Sequence, residues 1–434
     1  MNKVIACASM AAVGTIALQA QPAEEPTGNK PWSVSATVRG FYDDNTYTTP
    51  ASPSPSQRPK QSSWGVNVSP GFALHVLRDI TTIRLSYDYD LRWYEGRPDH
   101  QIDQTHKADL NISHSFSDRF KVDLTDSFAY SAEPSVIGEN TVGQSTFART
   151  DANNVRNYGG VAFTGTLTEQ LGTRVGYANT VYDYEQSGNG SYSALLDRIE
   201  HLISADVRWS FQPTTTGLLG YQYGIVDYTS SARLHIDGPE GSGINPSPKA
   251  GVRNQESHYI FAGVDQKFSP EFSFQLRAGA QIASYPNAVA GMEDQLVVPY
   301  ADAALTFEYA QGSRFQVGVK NELLATDVAM DFMNTNNVTV VNSQEATSVY
   351  GAITHKFTPH LQAMVRGSWQ HGTFKGGFAK GQSDDFLTVD VNLVYQFNQY
   401  LSAQAGYAFD DLSSDVLFRA YDRNRFYLGI VVKY

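Results

Sequence analysis

The chain carries a single cysteine, Cys7, and its position near the start leaves the remaining length without a thiol. A disulfide-stapled secreted domain, a Cys-ligated zinc site and thiol catalysis are therefore excluded for everything downstream of it. Long apolar runs are equally scarce. Apart from Val4 to Leu18, no stretch is long and apolar enough to form a membrane helix. No Lys/Arg run offsets the acidic balance of 32 basic against 44 acidic residues, a formal net charge of −12, so nucleic acid is excluded as a partner. Charged residues make up only 18% and hydrophobic ones 41%, which rules out both a coiled coil and a disordered chain. Catalytic signatures are missing as well: there is no His-Glu-x-x-His, no Gly-x-Ser-x-Gly and no phosphate-binding loop. The expectation is a non-enzyme without cofactor or resident metal. A Ser–His pair on neighbouring strands is the enzymatic alternative.

What the chain does have begins at its amino end. Met1-Asn2-Lys3 supplies a short positive region, Val4 to Leu18 an apolar one, and Leu18-Gln19-Ala20 a small residue at the cleavage point. This predicts a signal peptide over 1–20, a periplasmic lead-in over 21–31 and one domain over 32–434.

Within that domain a repeat emerges when the sequence is aligned on short polar turns between alternating segments. Eight such turns are centred near Asp79, Asp118, Gln170, Pro213, Pro270, Gly312, Pro359 and Gln399, separated by 39 to 57 residues. Between them lie nine longer polar connections, near 43–63, 96–104, 132–153, 186–196, 229–255, 286–297, 327–343, 375–384 and 411–423. Short and long connections alternate throughout, which gives 18 strands, with sixteen as the alternative because the first strand and 286–309 are less regular. The predicted fold is all-β: a transmembrane antiparallel up-and-down β-barrel with short periplasmic turns and long extracellular loops.

The strands have a period of two. Ile83, Leu85, Tyr87, Tyr89, Leu91 and Trp93 alternate with Arg84, Ser86, Asp88, Asp90 and Arg92, so one face is apolar and the other wet. Aromatic residues recur at both strand ends, including Trp64, Trp93, Tyr182, Tyr285, Tyr300 and Phe386 at the long-loop side, as two interfacial belts require. Continuing the register places Arg84, Asp88, Arg92, Lys107, Arg174, Arg198, Arg208, Arg277, Lys320 and Arg366 on the inner wall. These are the candidate pore-lining residues; cross-strand ion pairing that only stabilises the wall is the competing reading. Asp43-Asp44-Asn45 and Asp384-Asp385 form oxygen-rich groups suited to a hard cation such as Ca²⁺, against the plainer reading of solvated loop acids.

The last strand alternates Phe426, Leu428, Ile430, Val432 and Tyr434 with more polar or smaller residues and stops on an aromatic. It resembles the recognition strand of bacterial outer-membrane proteins, which implies the barrel-assembly machinery as a partner. Val34 to Asn45, running into Tyr42-Asp43-Asp44-Asn45, resembles the opening of the putative β-barrel porin 2 family. That resemblance implies an outer-membrane barrel over the whole of 32–434, in contact with outer-membrane lipid of a diderm bacterium. Some relatives sit beside exopolysaccharide genes.

The functional expectation is a porin-like channel for passive diffusion of small hydrophilic solutes through a charged lumen. One alternative is a conduit for exopolysaccharide, with Tyr94 and Tyr182 as sugar-stacking candidates. The other is a non-conducting structural or adhesive barrel, which a lumen filled by 132–153 or 229–255 would favour.

Overall fold

Alternation of side chains along an extended backbone separates one apolar face from one polar face, and a sheet of such strands buries neither until it closes on itself. The computed structural model describes residues 30–53, 58–131, 153–188, 193–233, 249–289, 292–328 and 340–434, and closes the sheet. The ascending strands, from the short-turn end, are β1 (Trp32–Asp43), β3 (Thr81–Tyr94), β5 (Phe120–Ser131), β7 (Leu171–Tyr184), β9 (Thr215–Tyr228), β11 (Phe272–Ser284), β13 (Ser313–Leu324), β15 (Leu361–Lys375) and β17 (Leu401–Ser414). The descending strands are β2 (Ser63–Leu77), β4 (Ile102–Ser115), β6 (Asn154–Thr166), β8 (Arg198–Gln212), β10 (Gln255–Lys267), β12 (Gln295–Ala310), β14 (Ser343–Lys356), β16 (Ser383–Asn398) and β18 (Tyr421–Lys433). Each strand pairs antiparallel with the next, and β18 returns to β1 through Ser35↔Lys433 to Asp43↔Arg425. The count is eighteen, and the sixteen-strand alternative is excluded. The leader 1–20 with Cys7, nearly all of the lead-in, and 132–152 lie outside the described residues.

The outer face is apolar: Val38, Trp64, Val207, Leu219, Ile260, Leu428, Ile430 and Val432 are all exposed. Trp32 and Tyr434 lie 6.2 Å apart at the short-turn end of the seam, and Tyr42 and Trp64 lie 4.9 Å apart at the other end. Histidines also face outward. His106, His201, His258 and His355 each share a hydrogen bond through Nδ1 with a tyrosine hydroxyl: Tyr87, Tyr177, Tyr221 and Tyr309.

Not every predicted belt residue faces the membrane. Tyr182, Tyr285, Tyr300 and Phe386 are buried on the inner side, because each occupies the phase opposite to its strand's apolar row. Four other inner aromatics lie flat over a glycine directly opposite on the neighbouring strand: Phe41 over Gly65, Phe261 over Gly220, Tyr350 over Gly318 and Tyr427 over Gly406. A Cβ at any of these glycines would fall 2.2 to 2.3 Å from a ring atom, so the missing side chain is what lets the ring cover the wall.

One pair of strands parts company. β12 and β13 pair only as far as Ala301↔Asn321, although both continue toward the long-loop end. Above that point stands Pro299, which has no N–H to donate, and Asn321 Nδ2 reaches its carbonyl at 2.6 Å instead. The freed end of β13 lies inside β12. Leu323 N donates to the inward Gln281 Oε1 at 2.8 Å, and Leu323 packs with Ala283, Tyr285 and Val298. This displacement carries 325–328, the described start of the β13–β14 connection, into the mouth.

Candidate functional site: the lumen wall and extracellular mouth

All ten candidate wall residues occupy the inward phase of their strands, opposite the exposed apolar row. Most are joined to acids, and chiefly along the same strand. Residues i and i+2 share a face, so Asp90–Arg92 (2.9 Å), Lys107–Asp109 (3.6 Å), Arg198–Glu200 (2.7 Å), Asp206–Arg208 (3.6 Å) and Lys320–Glu322 (2.5 Å) pair without leaving their strand. Arg366 pairs across to Asp390 at 3.5 Å. Arg277 reaches Asp265 at 2.6 Å, and Arg208 reaches the same carboxylate from two strands away. That reach needs an uncrowded β9–β10 surface. A Cβ at Gly263 would stand 2.6 Å from Arg277 Cδ. Arg84 and Arg174 have no carboxylate within ion-pair distance among the described residues, and Asp88 lies opposite Gly71.

The mouth holds a second set of arginines that the sequence did not single out, apart from Arg198. Arg97, Arg198, Arg253, Arg419 and Arg423 are each at most 7% exposed. Three stack on a tyrosine near a strand end: Arg97 over Tyr94 at 3.5 Å, Arg198 over Tyr182 at 3.8 Å and Arg253 over Tyr228 at 4.1 Å. Arg97 also pairs with Asp103 at 2.7 Å and donates to Thr46 O at 3.0 Å, tying together two loops. The Tyr94 and Tyr182 rings each carry a guanidinium on one face and are themselves buried, so neither presents an open ring to a sugar.

At the mouth lie the two described ends of the β13–β14 connection, 325–328 and 340–342. Arg253, on the β9–β10 side, donates to Leu195 O and, at 3.1 Å, to Thr326 O. The very next residue, Asp327, takes both terminal nitrogens of Arg419, which stands between β17 and β18. Arg419 Nε in turn holds Asp384 at 2.8 Å. In a ring of eighteen strands, β8 and β17 lie half a turn apart, so these contacts span the opening. The returning arm is packed as firmly: Val340 sits among Ala194, Leu195, Tyr228, Ala232 and Ala250, and Val341 among Val328, Phe374 and Ala379. Among the described residues, 325–328, 340–342, 193–196 and 249–253 of the 229–255 connection meet here.

Of the acid groups read as cation sites or solvated loop acids, Asp43 and Asp384 are instead buried members of ion pairs. Asp43 and Asp384 are each 1% exposed and neutralised by Arg423 and Arg419, while Asp385 faces outward against His371 at 3.0 Å. Buried carboxylates need such partners because an unpaired buried charge is costly.

Asp197, just before β8, is the mouth acid with the most perturbed titration. Burial pushes its carboxyl up to about 6, against the pull of the Tyr184 N–H that donates to Oδ1 at 2.9 Å. The folded state then binds this proton more tightly than the unfolded chain, so stability declines as pH rises from about 4 to about 6. Asp197→Asn, which keeps an acceptor for Tyr184 N, should raise the thermal midpoint at pH 7.5. With Asp197 only partly buried, screening limits the gain to roughly 1 kcal/mol or less. The gain should vanish near pH 4; an equal gain at both pH values would refute the burial account.

The family model for putative beta-barrel porin 2 matches residues 33–434. The chain belongs to that family. No curated protein matches the sequence. Among solved structures, it is similar to OccAB4 of Acinetobacter baumannii, at 14% identity over 94% of this chain and 100% of that one, with a TM-score of 0.42. It is also similar to the outer membrane protein opdK of Pseudomonas aeruginosa, at 12% identity over 93% and 99%, TM-score 0.42. A mutant of the ferric enterobactin receptor PfeA of the same species matches at 9% identity over 92% and 80%, TM-score 0.45. The protein is a porin-type β-barrel.

Proposed function

We propose that this barrel is an outer-membrane channel through which small hydrophilic solutes diffuse passively, along a charged wall and past a narrowed extracellular mouth. The carrying observation is the two-faced wall. Exposed valine, leucine, isoleucine and aromatic side chains cover the outside, and ten charged side chains from seven strands face the inside. A polar wall replaces part of a solute's hydration, and an inner loop sets the size limit. Outer-membrane residence, export by the 1–20 leader and recognition of Phe426, Leu428, Ile430, Val432 and Tyr434 by the assembly machinery belong to the same reading.

The contacts across the mouth favour a second reading, a barrel that conducts rarely or not at all. Single-channel recording in planar bilayers separates the two. Refolded wild-type protein should give stable steps, and Arg84→Ala with Arg174→Ala should lower anion preference about twofold, because these cations lack carboxylate partners. Electrical silence from heat-modifiable, fully folded protein would overturn the open-channel reading.

A further inference from the structure

We propose that two copies of this chain pair within the membrane through the outer face of β5, β6 and β7, with Asp126, Asn157 and Asn179 hydrogen-bonding across the contact. The inference rests on the outer face meeting lipid and is independent of conduction.

Asp126 stands in the middle of β5 on the outward phase. It lies opposite Leu110 on β4, and Phe120 and Leu124, which share its phase, are exposed. Every other Asp, Glu, Lys or Arg on the outward phase of a described strand lies near a strand end, as Asp183, Asp227, Glu256 and Lys375 do at the extracellular side. An ionisable side chain facing hydrocarbon is costly and needs a polar partner. Among the described residues Asp126 has one, Asn157 on β6, whose Nδ2 donates to the two carboxylate oxygens at 3.3 and 3.4 Å. These contacts are long, and a carboxylate has room for about four donors.

The strand register supplies what a second copy needs. The pairs Asp126↔Gly159 and Gly159↔Asn179 put three outward positions in one line across β5, β6 and β7. The middle position has no side chain. A Cβ at Gly159 would meet only Asp126 Oδ2, at 3.5 Å, so a neighbouring barrel can approach closely there. Asn179, at the far end of the line, makes only 3.4 Å contacts through Nδ2, to Glu200 O and His201 Nδ1. A two-fold axis beside Gly159, parallel to the membrane normal, exchanges the two ends of the line. The carboxylate of one copy then faces the carboxamides of the other, and the reverse. The patch is self-complementary in charge and hydrogen bonding, with its acceptor at one end and its donors at the middle and far end. Leu110, Leu124, Phe128, Val161 and Val175 surround it with an apolar rim. Half a turn around the ring, the outward mid-strand residues of β14, β15 and β16 are Val349, Val365 and Val391, which suit lipid alone.

Cross-linking in the membranes of producing cells tests the contact. In a Cys7→Ser background, which leaves the chain without a thiol, Gly159→Cys lies at the proposed axis. Oxidation or a short thiol cross-linker should convert it to a species of twice the barrel's mass, and Val365→Cys should stay monomeric. Adding Asp126→Leu to Gly159→Cys should lower the cross-linked fraction at least fivefold, because each lost bond counts twice in a two-fold contact. If Asp126 simply faced lipid, leucine would instead raise the unfolding temperature and leave cross-linking unchanged. If Asp126→Leu fails to fold, as heat modifiability would reveal, Gly159→Leu keeps the carboxylate and closes the notch. That variant should reduce the sedimenting mass in mild detergent from two barrels to one. Equal cross-linking at 159 and 365, a Gly159→Cys adduct with a different protein, or a dimer that survives folded Asp126→Leu or Gly159→Leu would overturn the proposal.

Discussion

Arg419→Ala should enlarge the single-channel conductance severalfold and should do so without unfolding the barrel. Its guanidinium sits between Asp327 and Asp384, both 1% exposed, and its removal leaves two buried carboxylates facing each other with no cation. Breaking a buried pair in this way costs about 3–5 kcal/mol. The cost falls on the loop contact, because the strands themselves are held by an unbroken ring of backbone pairing. The least expensive response is for 325–328 to leave the mouth, which relieves the repulsion by hydrating both acids. Hydrogen exchange should accelerate around Asp327 while the paired amides of β7 to β10 remain protected. Removing the charges together, as in Arg419→Met with Asp327→Leu and Asp384→Leu, should restore much of the wild-type conductance, since an apolar replacement no longer needs solvent. A conductance for Arg419→Ala equal to wild type would show that these contacts do not narrow the passage.

Much of this architecture was legible beforehand, and the reason is local. The period of two is set within each strand, so Trp93 or Leu387 fixes the phase of its neighbours and thereby places Arg84, Arg92 or Asp390 inside. Short turns are equally local, as in Phe357 to Leu361, where Thr358 caps Leu361 N at 3.0 Å. The mouth was not legible, because its bonds join residues far apart in the chain. Arg253 meets Thr326 and Arg419 meets Asp327 only once β8 and β17 stand opposite each other around a closed ring. A sequence window around Arg419 contains polar loop residues and nothing that announces burial. The aromatics near the strand ends misled for a related reason. Phe386 follows the even, inward phase beside outward Leu387, but its residue type suits a lipid belt equally well, and Leu412 and Tyr421 that receive it come from other strands. Pro299 offered the one available signal for the parting of β12 and β13, since a central strand cannot use a residue without an N–H.

Asp43→Ala should destabilise the barrel at its seam more than any other single change in the Tyr42-Asp43-Asp44-Asn45 segment. This segment closes the ring where the first and last strands meet. Asp43, 1% exposed, accepts from Arg423 Nε at 3.1 Å and from Arg423 Nη2 at 2.5 Å, and also takes the Asn45 N–H at 3.0 Å. Asp44 accepts from Asn424 N at 2.7 Å and from its Nδ2 at 2.8 Å. Asn45, fully buried, donates to Thr49 O and Asp422 O, both at 2.9 Å, and accepts from Thr49 N at 2.8 Å. Each residue after the tyrosine therefore fastens β1 to the end of β18, while Tyr42 turns outward to Trp64. β1 and β18 are the only neighbours not joined by a connection, so no loop holds them if the ladder frays. Alanine at 43 strands the Arg423 charge in the wall at a cost of about 3–5 kcal/mol, whereas Asp44→Ala, whose partners reach solvent more readily, should cost about 1–2 kcal/mol. Heat modifiability on gels gives the order directly, with the unfolding temperature of Asp43→Ala lowest, Asn45→Ala intermediate and Asp44→Ala nearest wild type. An additional Arg423→Met in the Asp43→Ala background should recover part of the loss, because it removes the orphaned cation. If the double variant is no more stable than Asp43→Ala, the buried pair is not what holds the seam, and the backbone pairing of Ser35 to Asp43 with β18 suffices alone.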